Sequence, residues 1–293
     1  MRLHVVDGTY ELFRAYYSKR PDHRAPDGQE MRGVVGVVSS LLALLHDKEE
    51  AVTHIGVAFD NPVECFRNEL FGGYKTGDGM DPVLYAQFGP VEDAVRALGI
   101  PVWSMDRWEA DDALATAAHK FGPSFEQVRI LTPDKDLGQC LRGDRVVQVD
   151  RLRKKTIDEP ALRASWGVGP ASIPDLLALI GDTADGIPGL PGIGEKTAAA
   201  LLARYEHIEH IPANASDWDV RVRGAAKVSE VIEAMREDAM LYRRLATLIT
   251  DVPLPETLAD LEFRGVPRAP FEAWCDRLGI TTLKDRPKRW AAD

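Results

Sequence analysis

Cysteine is scarce in this chain: three residues, Cys65, Cys140 and Cys275, lie far apart among 293. An odd and scattered set excludes a disulfide scaffold. No Cys-x-x-Cys pair or Cys/His cluster has the spacing of a zinc site, so a reducing, cytoplasmic compartment is expected. Long apolar runs are missing as well. None approaches the ~20 residues that a membrane-spanning helix requires, and no membrane partner is expected. The N-terminus, Met1-Arg2-Leu3-His4-Val5-Val6-Asp7, has an acid where a secretory signal needs a long apolar stretch. Positive charge is in deficit: 36 Lys and Arg stand against 46 Asp and Glu, a net charge of −10. That excludes coating nucleic acid by bulk electrostatics, unless the acids gather where a cation neutralises them. The remaining composition, 45% apolar and 28% charged, suits a globular protein of one large or two smaller domains.

Short apolar runs rich in β-branched residues occur at 3–6, 54–59, 101–103, 128–131 and 146–149, most ending in a turn signal. Helical patterns at 33–46, 89–98 and 110–120 lie between them. Alternation of buried strands with helices predicts an α/β fold with a mainly parallel sheet covered on both faces. Three of the strands are followed at once by an aspartate: Asp7, Asp60 and Asp134. One such residue reads as a turn or helix cap. Three in equivalent positions would line the carboxyl rim of the sheet, where open α/β folds bind ligands.

Two further acidic clusters join them. Glu109-Ala110-Asp111-Asp112 opens a helical stretch; Glu109 and Asp112, three apart, share a face there, with Asp111 beside them. Asp134-Lys135-Asp136 puts two carboxylates two residues apart in a strand-exit loop, either as a solvated acidic turn or as a pair on one cation. Beyond residue 165 the pattern is helical. Helices are predicted at 173–180 and 195–205, joined by a glycine-rich hairpin holding Asp182, Asp185, Gly189, Gly192 and Gly194. Backbone N–H groups exposed at a helix start suit phosphate. Gly189…Gly194-Glu195-Lys196-Thr197 falls short of a P-loop, because Glu195 precedes the lysine and a helix, not a strand, leads in. The seven histidines, at positions 4, 23, 46, 54, 119, 207 and 210, fit no zinc or Ser–His pattern and read as packing or surface residues.

Assembled in order, these segments resemble the 5′-nuclease (flap endonuclease) family, in particular the 5′→3′ exonuclease domain of bacterial DNA polymerase I and its stand-alone relatives. The matching elements are Val6-Asp7-Gly8, Phe59-Asp60 with Phe66-Arg67, Tyr74-Lys75, Glu109-Ala110-Asp111-Asp112, Thr132-Pro133-Asp134-Lys135-Asp136, and Gly181-Asp182 through Lys196-Thr197. Val222-Arg223-Gly224 and the stretch from Leu245 to Leu254 also match, and the chain stops at Asp293 with no polymerase region following.

The resemblance implies a PIN-like catalytic domain over 1–165, with an arch at about 66–98. A helical domain over 166–293 would follow, with a helix–three-turn–helix DNA-binding motif at about 172–206. It implies hydrolysis of DNA phosphodiesters near junctions of a 5′ single strand and duplex, leaving a 5′-phosphate, in replication and repair. Two Mg²⁺ or Mn²⁺ ions are implied. Asp7, Asp60, Glu109 and Asp111 would hold the first, with Asp111 bridging and Asp112 holding a water. Asp134, Asp136, Asp182 and Asp185 would hold the second, directly or through water. Lys75 would neutralise charge at the scissile phosphate and Tyr74 orient the substrate. Arg67, Gly189, Gly192, Gly194, Lys196 and Thr197 would contact DNA, with K⁺ held by hairpin carbonyls. Flapped, nicked or 5′-overhang DNA is the implied partner of a monomer, with a polymerase and a ligase acting on the same nick. Clustered acids without cations repel one another and raise some pKa values.

The chain departs from the family pattern twice. The arginine usual three residues after the Tyr-Lys lysine is Asp78 here, and no Lys or Arg occurs from Thr76 to Val95. A weakly ordered arch with Lys75 as its single cation is therefore expected. Gly186 stands where the family usually has Asn. Two other readings fit part of the pattern: a junction-binding protein without useful turnover, and a PIN-type ribonuclease, which leaves the hairpin unexplained. The basic runs Arg151-Leu152-Arg153-Lys154-Lys155 and 284–289 read as a solvated hairpin and a tail.

Overall fold

A computed structural model describes residues 1–292. In chain order the elements are β1 (Arg2–Asp7), α1 (Gly8–Tyr16), α2 (Arg32–Leu45), β2 (His54–Asp60), α3 (Phe66–Leu70), α4 (Pro82–Tyr85), α5 (Phe88–Ala97), β3 (Val102–Met105), α6 (Ala110–Phe121), β4 (Gln127–Leu131), β5 (Val146–Asp150), β6 (Lys155–Ile157), α7 (Glu159–Trp166), α8 (Ile173–Ile180), α9 (Glu195–Tyr205), α10 (Ala225–Ala234), α11 (Arg236–Ala246), α12 (Leu258–Leu261) and α13 (Arg268–Arg277). Two compact units are built from them. One takes Met1–Val63, Gly77–Thr132 and Thr250–Asp293; the other takes Glu64–Thr76 and Pro133–Ile249. These units cut the chain differently from a single boundary at 165/166. The stretch expected to form an arch is divided, with 64–76 in the second unit and 77–98 in the first.

The first unit is an α/β layer structure. Its strands run in the order β3-β2-β1-β4, each neighbour parallel. β1 is buried from its second residue onward and β2 from Ile55 to Phe59, as strands covered on both faces must be. α1, α5 and α6 pack on the sheet, and α2 packs on α1. The chain steps outward from β1 through β2 to β3 and then returns to the other side of β1. This reversal makes the carboxyl ends of β1 and β4 a topological switch point, where side chains are free to meet a ligand.

Residues 250–292 rejoin this unit. Phe263 N–H donates to Thr53 O at 2.9 Å, and Val266 exchanges backbone bonds with Arg289 and Ala291. The segment 284–289 is therefore no loose tail: Lys284 pairs with Asp276, and the Arg289 guanidinium lies over Phe263.

The second unit is mainly helical around one apolar core. α8 is buried from Ile173 to Leu179 and packs on α11; Ala198, Leu201 and Leu202 of α9 join the same core. β5 and β6 form an antiparallel hairpin whose turn is the basic run 151–154, and Arg153 pairs with Asp150 across it. From 71 to 81 the backbone forms neither helix nor strand, as its glycines suggest. No helix among the described residues is long and apolar enough to cross a membrane.

Candidate metal centre

In the first unit the expected acids fall on the carboxyl rim. Asp7 ends β1 and caps α1. Its Oδ1 accepts the Tyr10 N–H at 2.8 Å, and its Oδ2 accepts the Thr132 hydroxyl, just past β4, at 2.9 Å. Asp60 ends β2, and its Oδ1 accepts the Ala110 N–H at 2.7 Å, so this carboxylate faces the start of α6. Glu109, the cap of that helix, is 4% exposed, and Asp111 is half-buried in the first turn. The N-termini of α1 and α6 thus meet the carboxylates of Asp7, Asp60 and Glu109. Asp112 departs from expectation. It is fully buried and its Oδ2 accepts the Glu109 N–H at 3.0 Å, closing a capping box that accounts for it without a cation.

The second unit draws its acids together more tightly. Asp136, Asp182 and Asp185 each offer an oxygen within 4.8 Å of the others, the one such triad found among the described residues. Asp134 is exposed beside them and caps a short 3₁₀ turn by accepting the Asp136 N–H at 3.0 Å. Gln148, buried inside β5, donates to the Asp134 carbonyl and fixes that loop. Asp182 follows α8. It exchanges two 2.8 Å backbone bonds with Ile187, and its Oδ1 accepts the Ala184 N–H at 2.9 Å.

Two lysines face the triad. Lys135 Nζ lies 2.7 Å from Asp182 Oδ2, and Lys75 Nζ lies 2.9 Å from Asp185 Oδ1. Burial pushes the Asp136 carboxyl well above the usual range, and repulsion from Asp134, Asp185 and Asp182 adds to it. Burial works against the Lys135 ammonium, but its bond to Asp182 and attraction to the neighbouring acids hold its pKa above the ordinary value. Asp136 is 5% exposed, and its Oδ1 has no hydrogen-bond partner. A buried carboxylate oxygen left unsatisfied within a triad of hard oxygen donors fits a divalent cation such as Mg²⁺ or Mn²⁺.

The Tyr74-Lys75 element docks on the same turn. Lys75 N–H donates to Asp185 O at 3.0 Å. Gly186, at φ +73°, comes so close to Gly73 that a Cβ would lie 2.1 Å from its carbonyl oxygen, which explains why Asn is absent here. Tyr74 is 4% exposed in the apolar core, with Lys75 Nζ 5.7 Å from its ring centre. Its ring is thus placed to support Lys75, where the sequence suggested an orienting contact with substrate. Arg67 also departs from expectation. It is 1% exposed, and its guanidinium donates to the carbonyls of Leu245 and Thr247 at 2.8 and 3.0 Å, so it ties α3 to the end of α11 and is closed off from DNA.

The hairpin between α8 and α9 supplies a different surface. At Gly189, with φ +71°, a Cβ would lie 2.4 Å from Gly181 N, so the turn closes only with glycine. Gly192 and Gly194 are exposed, with open space around them, and Gly194 caps α9 without a side chain. The first N–H groups of α9 are therefore approachable by an anion, with Lys196 exposed and Thr197 half-buried in the same turn. Sequence reasoning passed over Lys135, Gln148 and Gly73 as functional residues. A glutamine inside the apolar run 146–149 was the one available signal.

Comparison with known proteins divides the chain once, near residue 167, and not along the two interleaved units. Residues 2–167 match the model of the 5′-3′ exonuclease N-terminal resolvase-like domain, and 168–269 that of the 5′-3′ exonuclease C-terminal SAM fold. DNA polymerase I of Rhizobium leguminosarum is 36% identical over 258 residues, covering 86% of this chain and 25% of that protein. DNA polymerase I of Bacillus caldotenax is 33% identical over 291 residues, covering 97% and 32%. The chain thus spans about a quarter to a third of the length of these relatives. Among solved structures, T5 5′-exonuclease with bound divalent zinc ions aligns with a TM-score of 0.67 at 20% identity, covering 84% of this chain and 89% of that one. The catalytic core of Rad2 in complex with DNA substrate aligns with a TM-score of 0.58 at 13% identity, covering 94% and 86%. Two family models that together span 2–269 leave one assignment: this chain belongs to the 5′-3′ exonuclease family.

Proposed function

We propose that this chain is a divalent-metal-dependent 5′ nuclease that hydrolyses DNA phosphodiesters near junctions of a 5′ single strand and duplex, leaving a 5′-phosphate. The observation that carries the reading is the triad Asp136, Asp182 and Asp185 with its unsatisfied buried oxygen, in the same unit as a glycine hairpin that exposes backbone donors. Asp136, Asp182 and Asp185, with Asp134 beside them, would hold one cation. Asp7, Asp60, Glu109 and Asp111 would hold another at the sheet rim. Magnesium or manganese, when bound, supplies Lewis acidity that acidifies water and neutralises charge developing on the phosphate.

The remaining steps belong to side chains and backbone. Gly192, Gly194 and the first turn of α9 bind duplex phosphates through N–H groups, with Lys196 adding positive charge; K⁺ on hairpin carbonyls belongs to the same reading. Lys75 brings a cation to the scissile phosphate, anchored by its backbone bond to Asp185 and by the Tyr74 ring. The relatives are longer polymerases, which supports a role at nicks shared with a polymerase and a ligase. Three free cysteines are compatible with work as a monomer in the cytoplasm. The test is cleavage of a 5′-labelled flap with and without Mg²⁺. Asp134→Ala should abolish incision while junction binding stays within about threefold; equal loss of both would contradict the assignment, as would incision of RNA alone.

A further inference from the structure

The triad is not bare in this structure. Asp182 is paired with Lys135 and Asp185 with Lys75, both lysine side chains being about one-third exposed. Lys75 has a task in the reaction proposed above; Lys135 has none. Yet Lys135 sits between Asp134 and Asp136 in sequence, and its Nζ reaches Asp182 Oδ2 at 2.7 Å, while the other Asp182 oxygen is held by Ala184 N–H. Oδ2 is the Asp182 oxygen open to a partner from outside its own turn, and the lysine occupies it. Of the three triad acids, only Asp136 keeps a buried oxygen without a partner.

We propose that Lys135 is an internal counter-ion of this cation site, bound to Asp182 until a divalent ion takes its place. The inference rests on the metal-binding reading of the triad and adds to it a determinant of affinity and selectivity. A tethered ammonium carries one positive charge at very high local concentration. A free monovalent cation gains little by replacing it, whereas a dication gains the attraction of all three carboxylates at once. Lys135 therefore keeps the acids from repelling one another in the metal-free protein, excludes Na⁺ and K⁺, and weakens divalent binding by the strength of its own pair. On displacement the half-buried side chain swings outward, and its ion pair with Asp182 is the bond that is lost.

The probe is Mn²⁺ alone, titrated into the full chain without DNA and followed by electron paramagnetic resonance. Asp182→Asn identifies the triad's ion as the one whose binding it removes. Lys135→Met keeps the aliphatic stem and deletes the charge, and should tighten that ion by about 3- to 10-fold, the span of one half-exposed charged hydrogen bond. Lys135→Arg keeps the charge and should retain wild-type affinity within about twofold. In parallel, the ammonium resonance of ¹⁵N-labelled lysine, assigned to Lys135 by its loss in Lys135→Met, should shift or broaden on adding Mg²⁺. Unchanged or weaker Mn²⁺ binding in Lys135→Met, or a resonance indifferent to Mg²⁺, overturns the counter-ion role while leaving the metal site standing. Asp182→Asn protein that binds as many Mn²⁺ ions as the wild type overturns the reading of the triad itself.

Discussion

Replacing Gly186 by alanine tests how firmly the lysine of the Tyr-Lys element is anchored. The new Cβ would lie 2.1 Å from Gly73 O and 3.3 Å from Gly73 C, both backbone atoms that cannot rotate away. Restoring ordinary contact requires a shift of about 1 Å, since even a close C–H···O contact keeps roughly 3.3 Å between carbon and oxygen. That shift breaks the 3.0 Å bond from Lys75 N–H to Asp185 O, a loss of about 1 kcal/mol. The left-handed backbone at φ +73° adds about 1–2 kcal/mol for any residue with a Cβ. The expected destabilisation is about 2–3 kcal/mol in urea unfolding, and Lys75 moves with its backbone. A displacement of that size at a charge-neutralising group lowers turnover by up to about a hundredfold. Gly192→Ala is the control. Its φ is +79° with nothing within 4 Å, so it isolates the backbone cost of about 1–2 kcal/mol. Equal destabilisation by the two substitutions, or unchanged flap cleavage in Gly186→Ala, would refute the docking argument.

Other outcomes follow from separate parts of the molecule. Glu50 lies between His4 Nε2 at 3.0 Å and the Arg129 guanidinium at 2.7 Å; burial alone would raise its pKa, but these bonds bring it down to about 2. A depressed carboxylate stabilises the fold above its unfolded value near 4.5 and loses that contribution as pH falls towards 2. The stability gap between wild type and Glu50→Gln should thus be about 3 kcal/mol at pH 6 and close progressively below pH 4.5; a gap independent of pH would reject the pairing. At Gly189 a Cβ would meet Gly181 N at 2.4 Å, so Gly189→Ala should open the hairpin. Junction-DNA affinity should fall at least about tenfold by fluorescence anisotropy, while Mn²⁺ binding to the triad persists. Parallel loss of both would mean that the hairpin and the triad are one cooperative element.

The strands were legible because each is a short β-branched run ended by a turn, and β1, β2, β4 and β5 fall within a residue or two of their predicted limits. The hairpin helices were equally plain, α9 matching at both ends. α1 was hidden behind Gly8 and a mixed pattern, β6 by having three residues, and α10 and α11 by their polar faces. At the site, acids after strands could be read because strand ends share a rim. The partners of Lys75 and Lys135 could not, since they lie 110 and 47 residues away and only the fold joins them. Arg67 misled for a related reason: nothing in Phe66-Arg67 tells a buried guanidinium that ties two carbonyls from one that waits for phosphate.

The return of residues 250–292 to the first unit orders events on the ribosome. The second unit needs nothing beyond Ile249, so it can collapse while the chain is still being extended. The parallel sheet is made before the second unit, yet it must wait for the later segment 250–292 to cover Thr53 and α5. Until that segment is made the apolar edges of the sheet stay open, which makes the first unit the part that most depends on chaperone protection.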